Sequence, residues 1–250
     1  MTKKISYILP TNRTISLENS SLKTVLALPK HDKEIIIICP KSAVNPDLEG
    51  VYKFHNIKIL EDKHMAGACK PSNDGYKISD GDYIAIMCDD VGFPINFLDM
   101  LDFMASEHVQ KKRFKMSNSM WDGGPGLLTY GHDDLADGVS RWWPPPRPIF
   151  PDSFYPYSVI PLPFYSRETI EKELGGILYH PKFKHHYCDH WSGFYVSKNE
   201  TYKPFEWRCP TIHYINLKNI SKMNSFHDKE DERTLIDLVS SFKVGETSYH

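Results

Sequence analysis

The chain of 250 residues is 40% hydrophobic and 25% charged, enough for one large domain or two small ones with a buried core. Thirty basic residues against thirty-two acidic ones leave a formal charge of -2. That balance excludes a general attraction for nucleic acid or anionic lipid, so any phosphate recognition must be local.

Five cysteines without a repeated CxxC pattern point to a reduced, cytoplasmic setting and away from a secreted disulfide framework. The opening MTKKISYILPTNRT is basic, but its apolar stretch from Ile5 to Leu9 is too short for a secretion signal. No apolar run reaches the length of a membrane span, which predicts no integral membrane segment.

Ile5 to Leu9 is a first predicted strand, followed by a polar turn from Pro10 to Thr14 and a helix between Leu17 and Leu28. Glu34 to Cys39, EIIIIC, is the strongest strand; a continuous apolar run implies burial on both faces, as in a parallel sheet covered by helices. Ile57 to Leu60 is a third strand. A glycine-marked turn, a helix and the polar turn Asp80-Gly81-Asp82 then lead to a fourth from Tyr83 to Cys88. Strands alternating with helices predict an α/β fold with right-handed crossovers. Asp89 and Asp90 follow the fourth strand, at the sheet edge where open α/β folds bind ligands.

Pro94 to Ser106 places Phe97, Leu98, Leu101 and Met104 at helical spacing, predicting a helix packed on the sheet. Residues 121–163 carry WDGGPG, RWWPPPRP and further prolines among aromatics, which predicts an irregular excursion. Regular structure resumes at SRETIEKELGG, with a helix start and a Gly-Gly stop. Pro181 to Ser197 then groups histidines, aromatics and one aspartate. CPTIHYINLK predicts a strand, and DKEDERTLIDLVSSF a charged amphipathic helix.

Three segments, ISYILPTNRT, GACKPSNDGYKISDGDYIAIMCDDVGFP and HYCDHW, resemble the GT-A fold nucleotide-sugar glycosyltransferases of the family 2-like group. In that family a glycine-led helix with a characteristic asparagine precedes a strand ending in Asp-x-Asp, and a later acidic residue lies beside the acceptor. The resemblance covers most of the first hundred residues and fragments between Ser166 and Leu217; the Pro-rich middle is not covered. It implies a single Rossmann-like α/β domain over residues 1–250, with a mixed, mainly parallel sheet flanked by helices. Residues 1–106 would be the nucleotide-sugar half and 107–250 the acceptor half. Cys88, Asp89 and Asp90 fall on the Asp-x-Asp positions, which puts Asp89 near the ribose and makes Asp90 the metal-binding carboxylate. Cys39-Pro40-Lys41-Ser42 stands where the family commonly has an acidic residue, so the nucleotide is left open.

The implied reaction moves a sugar from a nucleotide-diphosphate donor to a hydroxyl on a glycan or small-molecule acceptor, with inversion. Mn²⁺ or Mg²⁺, bridging carboxylate and phosphate oxygens, would stabilise charge on the leaving diphosphate. His213 is a further ligand candidate beside Asp90, since imidazole suits Mn²⁺ better than Mg²⁺, and His227 is its rival. Asp189 fits the base that removes the acceptor proton; its alternative role is capping, or pairing with His185, His186 or His190. Thr11, Asn12 and Arg13 follow the first strand, where Arg13 can make paired hydrogen bonds to phosphate. Asn73 anchors the donor by family similarity, while Asn-Asp-Gly also reads as turn chemistry. Trp121, Trp142, Trp143 and Tyr155 offer faces for stacking on sugars.

HHYCDH also admits zinc, although adjacent His185 and His186 project differently in regular backbone. Two other functions stay open at this stage. A sugar-phosphate nucleotidyltransferase should show a glycine-rich basic loop, which PTNRT is not. A non-catalytic nucleotide- or carbohydrate-binding module would suit Cys88 in the acidic motif.

Overall fold

A computed structural model describes residues 3–17, 20–65, 67–89, 91–93, 97–98, 114–119, 164–198, 203–208, 212–213, 228–243 and 249. In chain order the first half holds β1 (Ile5–Pro10), α1 (Ser20–Ala27), β2 (Lys33–Cys39), α2 (Glu49–Phe54), β3 (Ile57–Glu61), α3 (Cys69–Ile78) and β4 (Tyr83–Ile86). Then come β5 (Val91–Gly92), β6 (Phe114–Ser119), β7 (Phe164–Ser166), α4 (Arg167–Glu173) and α5 (Cys188–Lys198). Last are β8 (Lys203–Arg208), β9 (Ile212–His213) and α6 (Asp228–Ser241).

The main sheet has five strands in the order β3-β2-β1-β4-β7. All pair in parallel except β7, which runs antiparallel along β4. The apolar run of β2 explains its interior place, between β3 and β1. Ile35, Ile37 and Cys39 join Tyr7, Leu9, Leu22 and Val25 on one face. Ile36 and Ile38 join Ile8, Cys69, Tyr76, Leu178 and Trp191 on the other. Period-2 alternation thus feeds two cores at once. Each fully buried Ile contributes roughly 1.5–3 kcal/mol.

Helix α1 covers the first face, whereas α3, α5 and α6 contribute to the second. Gly75 lets α3 lie close on the sheet, because a Cβ there would stand 2.7 Å from methyl carbons of both Ile8 and Ile38. Ser166 caps α4 by accepting from Thr169 N at 3.1 Å, and the helix ends before Gly175 and Gly176, as SRETIEKELGG predicts.

The fold is the mixed, mainly parallel α/β sheet expected from the sequence. Some elements were not foreseen: α2, the parallel pair β6–β8, the short edge strand β7 and helix α5. Helix α5 buries Trp191, Phe194 and Tyr195 at i, i+3, i+4 spacing, a period that the aromatics and histidines crowding HHYCDHW mask in the sequence. The fourth strand ends at Ile86 rather than Cys88, although Met87 N still donates to Ile8 O at 2.8 Å. Of the helix predicted from Pro94 to Ser106, only Phe97 and Leu98 are described, and both are helical. The excursion at residues 121–163 lies outside the described residues. Among the described residues no helix is long and apolar enough to cross a membrane.

Candidate functional site

In the order β3-β2-β1-β4 the chain changes direction across the sheet between β1 and β4. The carboxyl ends of those two strands therefore flank the switch point, the place where open α/β sheets bind ligands. From β1 emerge Thr11, Asn12 and Arg13; beyond β4 lie Cys88 and Asp89.

Thr11 is fixed by its N–H, which donates to Ile38 O at 2.9 Å. Its hydroxyl donates to Asp89 Oδ2 at 2.7 Å, and Arg13 Nη1 lies 3.3 Å from Asp89 Oδ1. Arg13 N donates in turn to Thr11 Oγ1 at 3.1 Å. The Asp89 side chain is 14% exposed and that of Arg13 is 53% exposed. Three of the residues singled out in the sequence therefore meet in one hydrogen-bonded group.

Helix α1 braces the same loop through residues that the sequence reading did not single out. Ser21 donates its hydroxyl to Cys88 O, and Thr24 Oγ1 accepts from Phe93 N at 2.9 Å. Their only sequence signal is i,i+3 spacing of hydroxyls on a helix whose Leu22 and Val25 enter the core. Next to this loop, β5 pairs antiparallel with β9, setting Val91 opposite His213 and Gly92 opposite Ile212. The backbone of His213 thus joins the strand that directly follows the acidic pair. Asp90, His227, Trp121, Trp142, Trp143 and Tyr155 lie outside the described residues.

Asp189 sits in the first turn of α5, where the helix dipole favours a carboxylate. Its Oδ1 accepts from His190 N at 2.9 Å and lies 3.0 Å from His190 Nδ1; both side chains are 24% exposed. Burial pushes the Asp189 carboxyl up, but the charge, ring nitrogen and backbone N–H of His190 outweigh it and hold the pKa below the ordinary carboxylate value. The pairing with His190 that the sequence offered as an alternative is therefore present, and it leaves the carboxylate ionised at neutral pH.

Asn73 is buried, with Oδ1 accepting from Leu178 N and Tyr179 N at 3.0 Å each and Nδ2 donating to Tyr179 O at 2.8 Å. These backbone partners stand where the resemblance implies a donor contact, and they tie α3 to the segment that leads into α5. The Tyr179 hydroxyl is raised far above its usual pKa by burial, with Cys188, Cys69, Cys88 and Asp189 adding to the effect.

His185 and His186 pack edge to face, with ring centroids 4.5 Å apart. Among the described residues no three His, Cys, Asp or Glu side chains are grouped to hold a metal.

No family model matches the sequence. No curated protein matches it significantly. Solved structures do match. S. aureus TarS aligns with 97% of this chain and 41% of its own, at a TM-score of 0.58 and 13% identity. The mannosyltransferase PcManGT from Pyrobaculum calidifontis, solved in complex with GDP-Man and Mn²⁺, aligns with 98% of this chain and 66% of its own, at a TM-score of 0.57 and 12% identity.

The fold is GT-A-like. The chain spans less than half of TarS, at 41%, so the likeness is one of architecture. In this GT-A-like frame, the β1/β4 switch point offers a carboxylate, a guanidinium and a hydroxyl. A separate ionised carboxylate stands at the start of α5.

Proposed function

We propose that the protein is a metal-dependent glycosyltransferase that moves a sugar from a nucleotide-diphosphate sugar to a hydroxyl on a glycan or small molecule, with inversion. The observation that carries this reading is the Thr11–Asp89–Arg13 contact at the switch point, beside the strand that pairs with His213. The Mn²⁺ and GDP-Man held by the mannosyltransferase neighbour support a donor and an ion of this kind. Residues 1–106 then bind the donor and residues 107–250 the acceptor.

Each residue has a distinct task. Arg13 exchanges its contact with Asp89 for paired hydrogen bonds to a donor phosphate, which its exposure permits. Thr11 and Asn12 present polar groups at the end of β1, and Asp89, held by Thr11, faces the ribose. Asp90, on the last position of the Asp-x-Asp pattern, is the carboxylate for the ion, as the family resemblance implies. Asp90 with the His213 imidazole is a donor set that suits Mn²⁺ better than Mg²⁺. A bound ion neutralises the charge that builds on the departing diphosphate. Asp189 accepts the acceptor's hydroxyl proton while that oxygen attacks the anomeric carbon from the face opposite the leaving group.

Thermal unfolding against a panel of nucleotide sugars, with and without Mn²⁺, tests the reading. A ligand at a hundred times its Kd stabilises the fold by about 2.7 kcal/mol. One nucleotide should raise the midpoint only when Mn²⁺ is present, and Asp90→Ala should abolish that dependence. A panel in which no nucleotide shifts the midpoint, or in which the shift ignores the metal, overturns it.

A further inference from the structure

The geometry points to Asp231 as the residue that positions Asp189, acting through the turn at residues 184–186 that leads into α5. This rests on the reading of Asp189 as the base. Asp231 lies on α6 and is fully buried. Its Oδ1 accepts from Lys184 N at 2.9 Å, and its Oδ2 accepts from His185 N and His186 N at 2.8 Å each. A buried carboxylate is costly unless its lone pairs are met, and here three backbone N–H groups converge on it. Those amides belong to consecutive residues, so the carboxylate fixes the path of the chain rather than one side chain.

The path it fixes is a strained one. Tyr187 follows at φ 60, a left-handed conformation that a bulky L residue rarely adopts. Its carbonyl accepts from Trp191 N at 2.9 Å, so the strained residue directs the first turn of α5 and with it Asp189. The other side of the turn is also held. Cys69 N donates to Lys184 O at 3.1 Å. Gly67, at φ +89, lies so near that a Cβ there would stand 2.2 Å from the same oxygen. A clamp on both sides of residue 184 and a left-handed residue at 187 set the backbone path into α5 and so where Asp189 stands. Anchoring α6 does not need this carboxylate, because Leu235 and Leu238 already pack into the core.

The test is a carboxyl-carbon NMR titration of Asp189 in the full chain, run beside amide hydrogen exchange at residues 184–186. In Asp231→Asn an amide N–H replaces one acceptor oxygen and opposes the backbone donors. The Asp189 midpoint should rise by one pH unit or more, a tenfold gain in proton affinity, as the contact with His190 loosens. Exchange at residues 184–186 should quicken at least tenfold. An Asp189 midpoint that stays in place while those amides exchange faster overturns the inference. Should Asp231→Asn fail to fold, Asp231→Glu, which keeps the charge but displaces it by a methylene, is read in the same way. Asp189→Asn with undiminished sugar transfer would instead sink the reading of the base and leave the titration result standing.

Discussion

Each end of the main sheet carries a carboxylate between strands, and the two are treated in opposite ways. At the amino-terminal edge, Glu34 is wholly buried. It accepts from Ser6 Oγ at 2.6 Å, Lys58 Nζ at 2.6 Å and Asp80 N at 2.8 Å. Ser6 Oγ accepts in turn from Gly81 N at 2.8 Å. At the carboxyl-terminal edge, Asp89 meets Thr11 at 2.7 Å and a guanidinium at 3.3 Å that is itself 53% exposed. A saturated carboxylate holds strands together; one whose cationic partner faces water can trade that partner for a ligand. The contrast assigns stability to one edge and chemistry to the other.

Variants at the two edges should therefore fail in different assays. The largest effect is expected at the site: Asp189→Asn should lower the transfer rate about 10²–10⁴-fold, the usual contribution of a general base, with donor affinity unchanged. Because the Asp189 pKa is depressed, chiefly by His190 against the upward push of burial, the base stays ionised down through the ordinary carboxylate range. The acid limb of the rate profile should then fall below that range. The same depression contributes stability that is present above the unfolded pKa of about 3.9 and is lost as pH falls through the lower folded value. A limb near neutral pH would assign the base to another group.

Next in size is Glu34→Ala. Removing a buried acid leaves Lys58 and the Asp80 amide without their partner, at a cost of about 3 kcal/mol, the low end for such a pair because Lys58 is 41% exposed and can regain water. For a chain of this length that is roughly 6–12 °C in Tm. The metal-dependent shift produced by a nucleotide sugar should survive. Asp89→Asn should do the reverse. It keeps an oxygen for Thr11 but loses the charge facing Arg13, so stability should move by less than about 1 kcal/mol. Donor binding should weaken about tenfold, or about 1.4 kcal/mol. If Glu34→Ala abolished donor binding while Asp89→Asn destabilised the fold, the division between the edges would be wrong.

The same contrast explains what the sequence could reveal. Strands β1, β2 and β4 were legible because apolar runs and punctuating turns are local signals, and the switch-point residues follow directly from those strand ends. Thr11 and Arg13 could be placed beside Asp89 once the strands were ordered, although 78 residues separate Thr11 from Asp89. The contacts around the start of α5 were not legible in that way. Asn73 finds its partners 105 and 106 residues away, and Asp231 reaches back 45 to 47 residues to backbone amides that carry no residue-type signal. No pattern in DKEDER distinguishes the buried Asp231 from the exposed Glu230 beside it. Helical spacing could single it out only against Leu235, four residues later and also buried. Likewise β9 is two residues long, and only its pairing with β5 makes His213 more than a histidine in an apolar stretch.

The smallest expected effect sharpens the comparison within the closed edge itself. Asp80 is ion-paired with Lys4, yet its side chain is 65% exposed, whereas that of Glu34 is 0% exposed. Its carboxyl is lowered to about 2, first by the hydrogen bond from Lys4. A depressed carboxylate contributes stability above its unfolded pKa of about 3.9, and that contribution disappears as pH falls through about 2. Water and salt screen a pair this exposed, so the free energy at neutral pH should be well below what the shift alone suggests, at most about 1 kcal/mol. Asp80→Asn should therefore change Tm far less than Glu34→Ala, and the difference from wild type should shrink further in 1 M salt, where the Debye length is about 3 Å. Asp80 N can still donate to Glu34 in that variant, so the buried acid keeps its full set of partners. Equal losses from the two substitutions would mean that the edge is held by charge at its surface and not by saturation of the buried carboxylate.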